Sequence, residues 1–252
     1  MAERPLVIAH RGDSTNAPEQ TLAAYELAIE RGADMIEADV RRTRDNRLVM
    51  LHDATLHRTT SGSGRVADFD FPELRRLDAG SWFSPAFAGQ VVPTLDELFD
   101  LAERRDVALC LEVKAEDSKA AIDLALAVAE RISRRGRLQR DVLSSFDQQA
   151  LGAALRAHPG LSLAPDRLPE RGASTVEELV AQASAIGAPI IQHHHADLDA
   201  SIVAGCHAAG LAIWPWPTTA AADIKRVHGM GVDAFMGDDV AAMVRELGAP
   251  SA

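Results

Sequence analysis

The chain has 252 residues, of which 47% are hydrophobic and 25% are charged, so it is long enough to bury one large core. Its formal net charge of -11 argues against a nucleic-acid partner, because phosphate backbones are bound by basic surfaces. The first residues lead directly into an apolar strand, and no stretch reaches the roughly 18 apolar residues of a membrane span, so we predict a cytoplasmic protein with no stable membrane insertion.

Apolar segments of strand length alternate with amphipathic segments of helix length along the chain. Strands are predicted at 6–10, 35–40, 107–113, 142–145, 161–164, 189–192, 211–214 and 234–237. Helices are predicted near 18–31, 94–105, 118–135, 147–157, 174–187, 197–209, 218–229 and 239–247, the first of them beginning at Pro18 with Glu19 in its first turn. This strict alternation is typical of a (β/α)8 TIM barrel, which we favour over an open doubly wound sheet.

The apolar segment 48–52 interrupts this alternation. It follows Val40 so closely that a parallel crossover, which needs about a dozen residues or more, cannot fit between them. We therefore predict an extra, hairpin-like strand and, in the Gly- and Ser-rich remainder at about 54–93, a small insertion lobe after the second strand. The whole chain, 1–252, is then one domain, with the lobe on the face where barrel enzymes hold their active sites.

Three carboxylates lie near the ends of the second and third barrel strands. Glu37 and Asp39 are two residues apart in one strand and therefore point to the same face, as do Glu112 and Lys114 in the next. Converging carboxylates repel one another unless a cation lies between them, and oxygen ligands suit Mg2+ or Ca2+ better than zinc. Any one of these acids, taken alone, is better explained as a solvated strand-end carboxylate or as the partner of a neighbouring cation. The three together, in strands that are otherwise apolar, favour a metal site.

Two histidines close apolar strands and are each followed by a charged residue. His10 and His52 are candidate proton carriers, because imidazole both takes and gives a proton near neutral pH. Asp53 is placed to hold a histidine ring nitrogen, and the planar donor fork of Arg11 suits phosphate oxygens. Lys114 is placed either to form an ion pair with Glu112 or to bind a substrate anion. Together these residues predict metal-assisted cleavage of a phosphoester.

Several short motifs follow one another in a fixed order along the chain. They include His10-Arg11-Gly12, Ala17 to Thr21, Glu37-Ala38-Asp39-Val40, His52 to Thr60, Ser61 to Gly64, Leu77 to Phe83, Val92 to Leu95, Leu111-Glu112-Val113-Lys114 and Ser144-Ser145-Phe146. In these motifs the sequence resembles the glycerophosphodiester phosphodiesterase family. The match is strong over 6–146 and weaker beyond, and such an ordered set is far more specific than any one short string.

The resemblance implies a TIM barrel with a small insertion after the second strand, which cleaves a small-molecule phosphodiester to glycerol phosphate and an alcohol. It implies one divalent cation, Mg2+ or Ca2+, and leaves open a monomer or a homodimer. By position it assigns the cation to Glu37, Asp39 and Glu112, general acid–base catalysis to His10 and His52, and substrate binding to Arg11, Lys114, Glu19 and Trp214.

Three positions depart from the family pattern. Gln20 stands where the family usually has Asn, Pro217 ends the segment 214–217 where Asn is usual, and Gly237 replaces the usual Thr before Asp238. The last two lie in the C-terminal half, so the sequence does not predict which alcohol leaves.

Two other functions compete with this hypothesis. His193 and His195 share a strand face at the end of the sixth strand, where they would support a zinc-dependent hydrolase, since imidazoles are common zinc ligands. The second competing function is that of a barrel that binds a phosphate ligand without turning it over. The full set of histidines and carboxylates argues against this function.

Overall fold

Nine strands and nine α-helices make up the part of the chain that the computed structural model describes, residues 4–167 and 174–248. The strands are β1 (Leu6–His10), β2 (Met35–Arg42), β3 (Leu48–Met50), β4 (Ala108–Val113), β5 (Val142–Ser145), β6 (Ser162–Arg167), β7 (Ile190–His194), β8 (Ala212–Trp216) and β9 (Ala234–Gly237). The helices are α1 (Leu22–Glu30), α2 (Phe71–Leu74), α3 (Leu95–Arg104), α4 (Ser118–Arg134), α5 (Gln148–Ala157), α6 (Val176–Ile186), α7 (Ala200–Ala208), α8 (Ala221–His228) and α9 (Val240–Leu247). Within these ranges no helix is both long and apolar enough to span a bilayer.

Eight of the strands form a parallel sheet in the order β8-β7-β6-β5-β4-β2-β1-β9. Its two ends approach each other, because the N–H of Thr218 donates to the carbonyl of Met236 at 2.7 Å and that of Asp233 donates to Ile213 at 3.1 Å. The sheet is therefore a nearly closed barrel. The predicted (β/α)8 TIM barrel is confirmed, and the open doubly wound alternative is wrong.

Apolar side chains pack on both faces of this barrel. Alternate strand residues such as Ile8, Cys110 and Trp214 point inward and fill the barrel interior. Their neighbours, such as Ile36 and Leu109, point outward and pack in the cluster shared with the surrounding helices. With the strand faces apolar, the polar residues that end the strands are gathered at the carboxyl rim, where barrel enzymes carry their active sites.

Helix α1 begins later than the sequence predicts. It starts at Leu22 rather than Pro18, with Thr21 as its N-cap, whose hydroxyl accepts a backbone N–H of the first turn. Gln20 has a φ of 60°, which a right-handed helix cannot contain. Glu19 therefore belongs to a loop beside the barrel mouth and not to the first helical turn, so the predicted start was wrong.

Strands β2, β6, β7 and β8 run two or three residues past their predicted ends. The extra residues are largely polar, which is why their composition is typical of loops. The backbone nevertheless continues the ladder, with Arg167 in register with His193, and His194 with Trp216. These extensions raise polar side chains above the apolar core and build the wall of the barrel mouth.

The extra strand β3 pairs antiparallel with β2, with Val40 opposite Met50, so the predicted hairpin is confirmed. The residues between β3 and α3 carry a small apolar cluster of their own, which includes Leu56, Leu74 and Val92. We propose that they form an insertion lobe of about 54–93 within a single domain of 1–252.

A buried ion pair fastens the opposite, amino-terminal end of the barrel. Arg137 donates to Asp141 through Nε at 2.6 Å and through its terminal nitrogen at 2.8 Å, and Asp141 also accepts the N–H of Leu109 at 3.0 Å. Both side chains are buried. We expect Asp141→Ala to lower the free energy of unfolding by about 3–5 kcal/mol, because it leaves an uncompensated buried guanidinium, and urea denaturation measures this loss.

The matched control is Glu130→Ala, which breaks an exposed pair with Arg134 on α4. Such surface pairs contribute about 0–1 kcal/mol. Equal loss of stability in the two variants would contradict the interpretation of Asp141.

Candidate active site

A cavity of about 260 Å³ opens at the carboxyl rim of the barrel. Its wall combines cations, acids, imidazoles and aromatic rings, which is the composition expected of a site for a small anionic ligand. The lining residues are His10, Arg11, His52, Glu112, Lys114, Phe146, Asp166, Gln192, Trp216 and Met236.

Three buried carboxylates converge beside this cavity. Glu37 and Asp39 come from β2 and Glu112 from β4, where Asp39 and Glu112 are register partners. One carboxylate oxygen from each lies within 4.8 Å of the other two. The structure therefore brings the three acids together as the strand spacing predicts.

Two cations contact this cluster and offset part of its charge. Arg11 Nε lies 3.2 Å from Asp39 Oδ2, and Lys114 Nζ lies 2.5 Å from Glu112 Oε1 and 3.3 Å from Asp39 Oδ1. Although burial would raise the pKa of Asp39, these two cations outweigh it and hold that pKa well below its usual range.

The other two acids are not fully compensated. Burial, followed by repulsion from Asp39, raises the pKa of Glu37 well above its ordinary value, and burial also raises the pKa of Glu112. Glu37 Oε2 accepts the backbone N–H of Arg11 at 2.9 Å, but its Oε1 has no hydrogen-bond partner in the described residues. Hard oxygen donors in this number, one of them unpaired, fit a divalent cation such as Mg2+ or Ca2+.

Gln20, one of the departures from the family pattern, supports the cluster directly. Its Nε2 donates to Asp39 Oδ2 at 2.7 Å, and its Oε1 accepts the hydroxyl of the buried Tyr25 at 2.5 Å. The amide is therefore fixed in orientation, and the longer side chain still holds Asp39.

Each histidine of the cavity is oriented by its own carboxylate. His10 Nδ1 lies 2.7 Å from Asp238 Oδ1, and His52 Nδ1 lies 2.7 Å from Asp53 Oδ1. Because an ionised carboxylate only accepts, Nδ1 carries the proton and Nε2 is left to meet a ligand. Burial lowers the pKa of His52, so this ring is neutral at neutral pH. The sequence offered Asp53 as a partner but not Asp238.

The sequence matches the glycerophosphoryl diester phosphodiesterase family over residues 10–242. The chain belongs to this family. A glycerophosphodiester phosphodiesterase of Caldanaerobacter subterraneus subsp. tengcongensis is 34% identical over 245 residues, which are 96% of this chain and 97% of that protein. The predicted family, and with it an enzyme of the phosphoric diester hydrolase class, is confirmed.

Two solved structures of phosphodiesterases share its fold. An Oleispira antarctica phosphodiesterase in complex with the product sn-glycerol-3-phosphate has a TM-score of 0.88 and 27% identity, and the match covers 96% of each chain. A glycerophosphodiester phosphodiesterase of Agrobacterium tumefaciens has a TM-score of 0.82 and 28% identity, covering 96% of this chain and 99% of the other.

One arginine links the two sides of this family site. Arg58 donates to Asp53 at 2.7 and 3.1 Å and to Glu19 at 2.6 and 2.8 Å. Asp53 holds His52, and Glu19 lies 3.3 Å from Arg11. Glu19, which the family pattern placed near the ligand, therefore holds Arg11 and Arg58. The sequence presented Arg58 only within the matching segment 52–60 and with no role.

We expect Arg58→Leu to lower kcat/KM by about 10- to 100-fold, the usual loss when a residue that orients an active-site group is removed. Arg58→Lys should recover little, because an ammonium cannot bridge two carboxylates as the planar fork does. Steady-state kinetics on a glycerophosphodiester measures both changes. Arg44→Leu is the control, since Arg44 also bridges two acids, Asp70 and Glu73, but all three side chains are exposed and none lines the cavity. A similar loss in both leucine variants would contradict the positioning role.

Of the two tryptophans of β8, Trp216 is the one that lines the cavity. Trp214, which the family pattern places near the ligand, is buried in the barrel interior and is absent from the cavity wall among the described residues. Trp216 lines the cavity and meets Phe146 edge to face, with ring centroids 6.0 Å apart. Lys114 Nζ lies 5.5 Å from the centre of the Phe146 ring. A ligand contact of Trp214 therefore stays a prediction.

The histidines at and just after the end of β7 do not converge on one point. His193 is buried and its Nδ1 contacts the carbonyl of His194 at 3.0 Å, whereas His195 Nδ1 lies 3.0 Å from a guanidinium nitrogen of Arg226. Within residues 4–167 and 174–248, the acids Glu37, Asp39 and Glu112 form the only group of three candidate ligands close enough to share an ion. This geometry gives the zinc hypothesis no support.

Gly237, another departure, has a packing reason. A Cβ at this position would lie 2.3 Å from the carbonyl oxygen of Thr218, so any side chain would collide with the backbone. The close approach is the same one that joins β8 to β9 through Thr218 and Met236. Glycine at this position allows β8 and β9 to approach each other, and this approach fixes the strand end at which Asp238 meets His10.

Proposed function

We propose that this chain hydrolyses glycerophosphodiesters to glycerol phosphate and an alcohol, with Mg2+ or Ca2+ held by Glu37, Asp39 and Glu112. The observation that carries the proposal is the convergence of these acids with two carboxylate-oriented imidazoles at one cavity. The product complex of the Oleispira antarctica phosphodiesterase, which shares the fold, supports the same substrate class.

Arg11 and Lys114 line the cavity next to the acids and are the groups placed to hold the phosphate. Arg11 offers a planar fork and Lys114 a point charge, and both are kept in place by the carboxylates they already contact. A divalent cation bound at the three acids would polarise the phosphoryl group and offset the charge that develops in the transition state.

His52 and His10 carry the protons in this proposal. His52, neutral because it is buried, takes a proton at Nε2 from the attacking hydroxyl or water. His10, on the neighbouring strand β1, gives a proton to the departing alcohol oxygen. Asp53 and Asp238 stabilise the imidazolium form of each ring through the Nδ1 proton.

The test is a panel of glycerophosphodiesters with choline, ethanolamine, glycerol and inositol head groups, assayed with Mg2+ and with Ca2+. We expect glycerol phosphate and the free alcohol from at least one member, identified by chromatography of the products. Binding of these compounds without any hydrolysis would instead support the barrel that binds a phosphate ligand and turns over nothing.

A further inference from the structure

Two polar residues line the cavity without a part in the chemistry described above. Asp166 on β6 and Gln192 on β7 are register partners, so their side chains point to the same side of the sheet, into the barrel. Both belong to the cavity wall, and they are only 5% and 2% exposed. They lie beneath the rim, across from the histidines.

Asp166 is unusual because it is buried without being satisfied. Its Oδ2 has no hydrogen-bond partner among residues 4–167 and 174–248, and no lysine or arginine in those ranges forms an ion pair with it. Buried polar groups in proteins are nearly always paired, and an unpaired one destabilises the fold. A ligand that enters the cavity is the partner that this oxygen can meet.

Gln192 is held in a defined orientation beside it. Its Nε2 donates to the sulfur of Cys110 at 3.1 Å, which leaves its Oε1 as the atom that accepts a hydrogen bond. A ligand group that meets Gln192 Oε1 must donate a hydrogen bond there, while it accepts from, or donates to, Asp166. A hydroxyl does both.

The burial of these two residues favours a neutral ligand group over an ammonium. An ammonium beside them would lose most of its hydration, whereas a hydroxyl carries no charge and is the less costly partner for a buried carboxyl and a buried amide. The same burial, with repulsion from Glu112, raises the pKa of Asp166 well above its ordinary value.

We propose that Asp166 and Gln192 form a subsite for a hydroxyl group of the substrate's polyol portion. This proposal rests on the proposed function, which it extends to substrate selection. The hydroxyl belongs either to the glycerol of the glycerol phosphate or to the departing alcohol, and the experiment distinguishes the two.

The first measurement is calorimetric binding of sn-glycerol 3-phosphate and of propyl phosphate to the Mg2+-loaded enzyme. The two ligands share a phosphate and three carbons and differ in their hydroxyls. We expect the parent to prefer the glycerol compound by about tenfold, Asp166→Leu to lose that preference with little change for propyl phosphate, and Asp166→Asn to keep most of it, because an amide still donates and accepts.

The second measurement compares kcat/KM for glycerophosphoglycerol and glycerophosphocholine. In one outcome, Asp166→Leu leaves the binding preference intact and lowers kcat/KM only for glycerophosphoglycerol. The subsite then binds a hydroxyl of the departing alcohol, since the only hydroxyl of choline is already esterified to the phosphate. The proposal is overturned if neither comparison changes, if propyl phosphate loses as much affinity as the glycerol compound, or if the choline substrate suffers most.

A thermal melt separates these effects from misfolding. Replacing an unpaired buried polar group by an apolar one of similar size is neutral or stabilising, so Asp166→Leu should melt no lower than the parent. The binding arm does not need turnover. Failure of the proposed function, with no hydrolysis of any diester, is therefore distinguishable from failure of the subsite.

Discussion

Glu37→Gln is expected to lower kcat/KM by about a thousandfold, because it removes one charged oxygen ligand from the three-acid cluster. A metal ion contributes several kcal/mol to a hydrolytic transition state, and each 1.36 kcal/mol is a factor of ten in rate. Glu37 is the sharpest choice, since its Oε1 has no other partner among the described residues, whereas Asp39 also binds Arg11 and Lys114. Steady-state kinetics with Mg2+ or Ca2+ after chelation of the purified enzyme measures the loss.

The same substitution, Glu37→Gln, should increase the stability of the metal-free protein although it lowers turnover. The folded-state pKa of Glu37 is raised above its ordinary 4.5, so the folded chain holds this proton more tightly than the unfolded chain. By linkage, the stability that this proton gives the folded chain is fully present below pH 4.5, and it is lost as the pH rises through the folded-state pKa. Without metal, Glu37→Gln should therefore melt higher than the parent at neutral pH, and added Mg2+ should raise its melting temperature less.

Glu116→Gln is the matched control, because Glu116 undergoes the same chemical change in an exposed pair with Arg65. It should leave turnover and the response to Mg2+ unchanged. Full activity after chelation, or recovery of activity with zinc alone, would refute the assignment of the ion to these acids and return attention to His193 and His195.

His52→Ala and His10→Ala should each lower kcat by at least about a hundredfold, the ordinary scale for loss of a general acid or base. Neither change should cost much stability, because both rings lie at the cavity wall and not in the apolar core. Since burial lowers the pKa of His52, the acid limb of the parent's kcat/KM profile should fall below the ordinary imidazole value of 6.5, and it should vanish in His52→Ala.

The control for the histidines is His57→Ala, an exposed ring of the lobe that contacts Thr55. Its kcat should equal that of the parent. Near-normal turnover in either cavity variant would mean that another group carries the proton.

Local spacing was enough to predict the acid cluster. Two residues of separation in a strand fix a common face, and neighbouring parallel strands bring their ends together, so the sequence alone groups Glu37, Asp39 and Glu112. The same argument placed His10 at the rim, whereas His52 was placed there because the connection after the second strand lies on the face where barrel enzymes hold their active sites. The geometric periodicity of strands carries such predictions because it does not depend on distant parts of the chain.

The partners of these residues could not be predicted in this way. Asp238 meets His10 across 228 positions, and Arg58 meets Glu19 across 39. Neither pairing leaves a periodic signal, because each depends on how the barrel closes or how the lobe folds back. The start of α1 failed for a related reason, since Glu19 suits a helical first turn by composition but is engaged by Arg11 and Arg58 instead.

The joint between β1 and β9 also makes the alignment of one catalytic group depend on the integrity of the barrel. The three acids come from β2 and β4, which are direct neighbours in the sheet. His10 waits for Asp238, which reaches it only when β9 docks against β1. Local separation of β9 from β1 would therefore release the ring of His10, while the three acids stay together on β2 and β4.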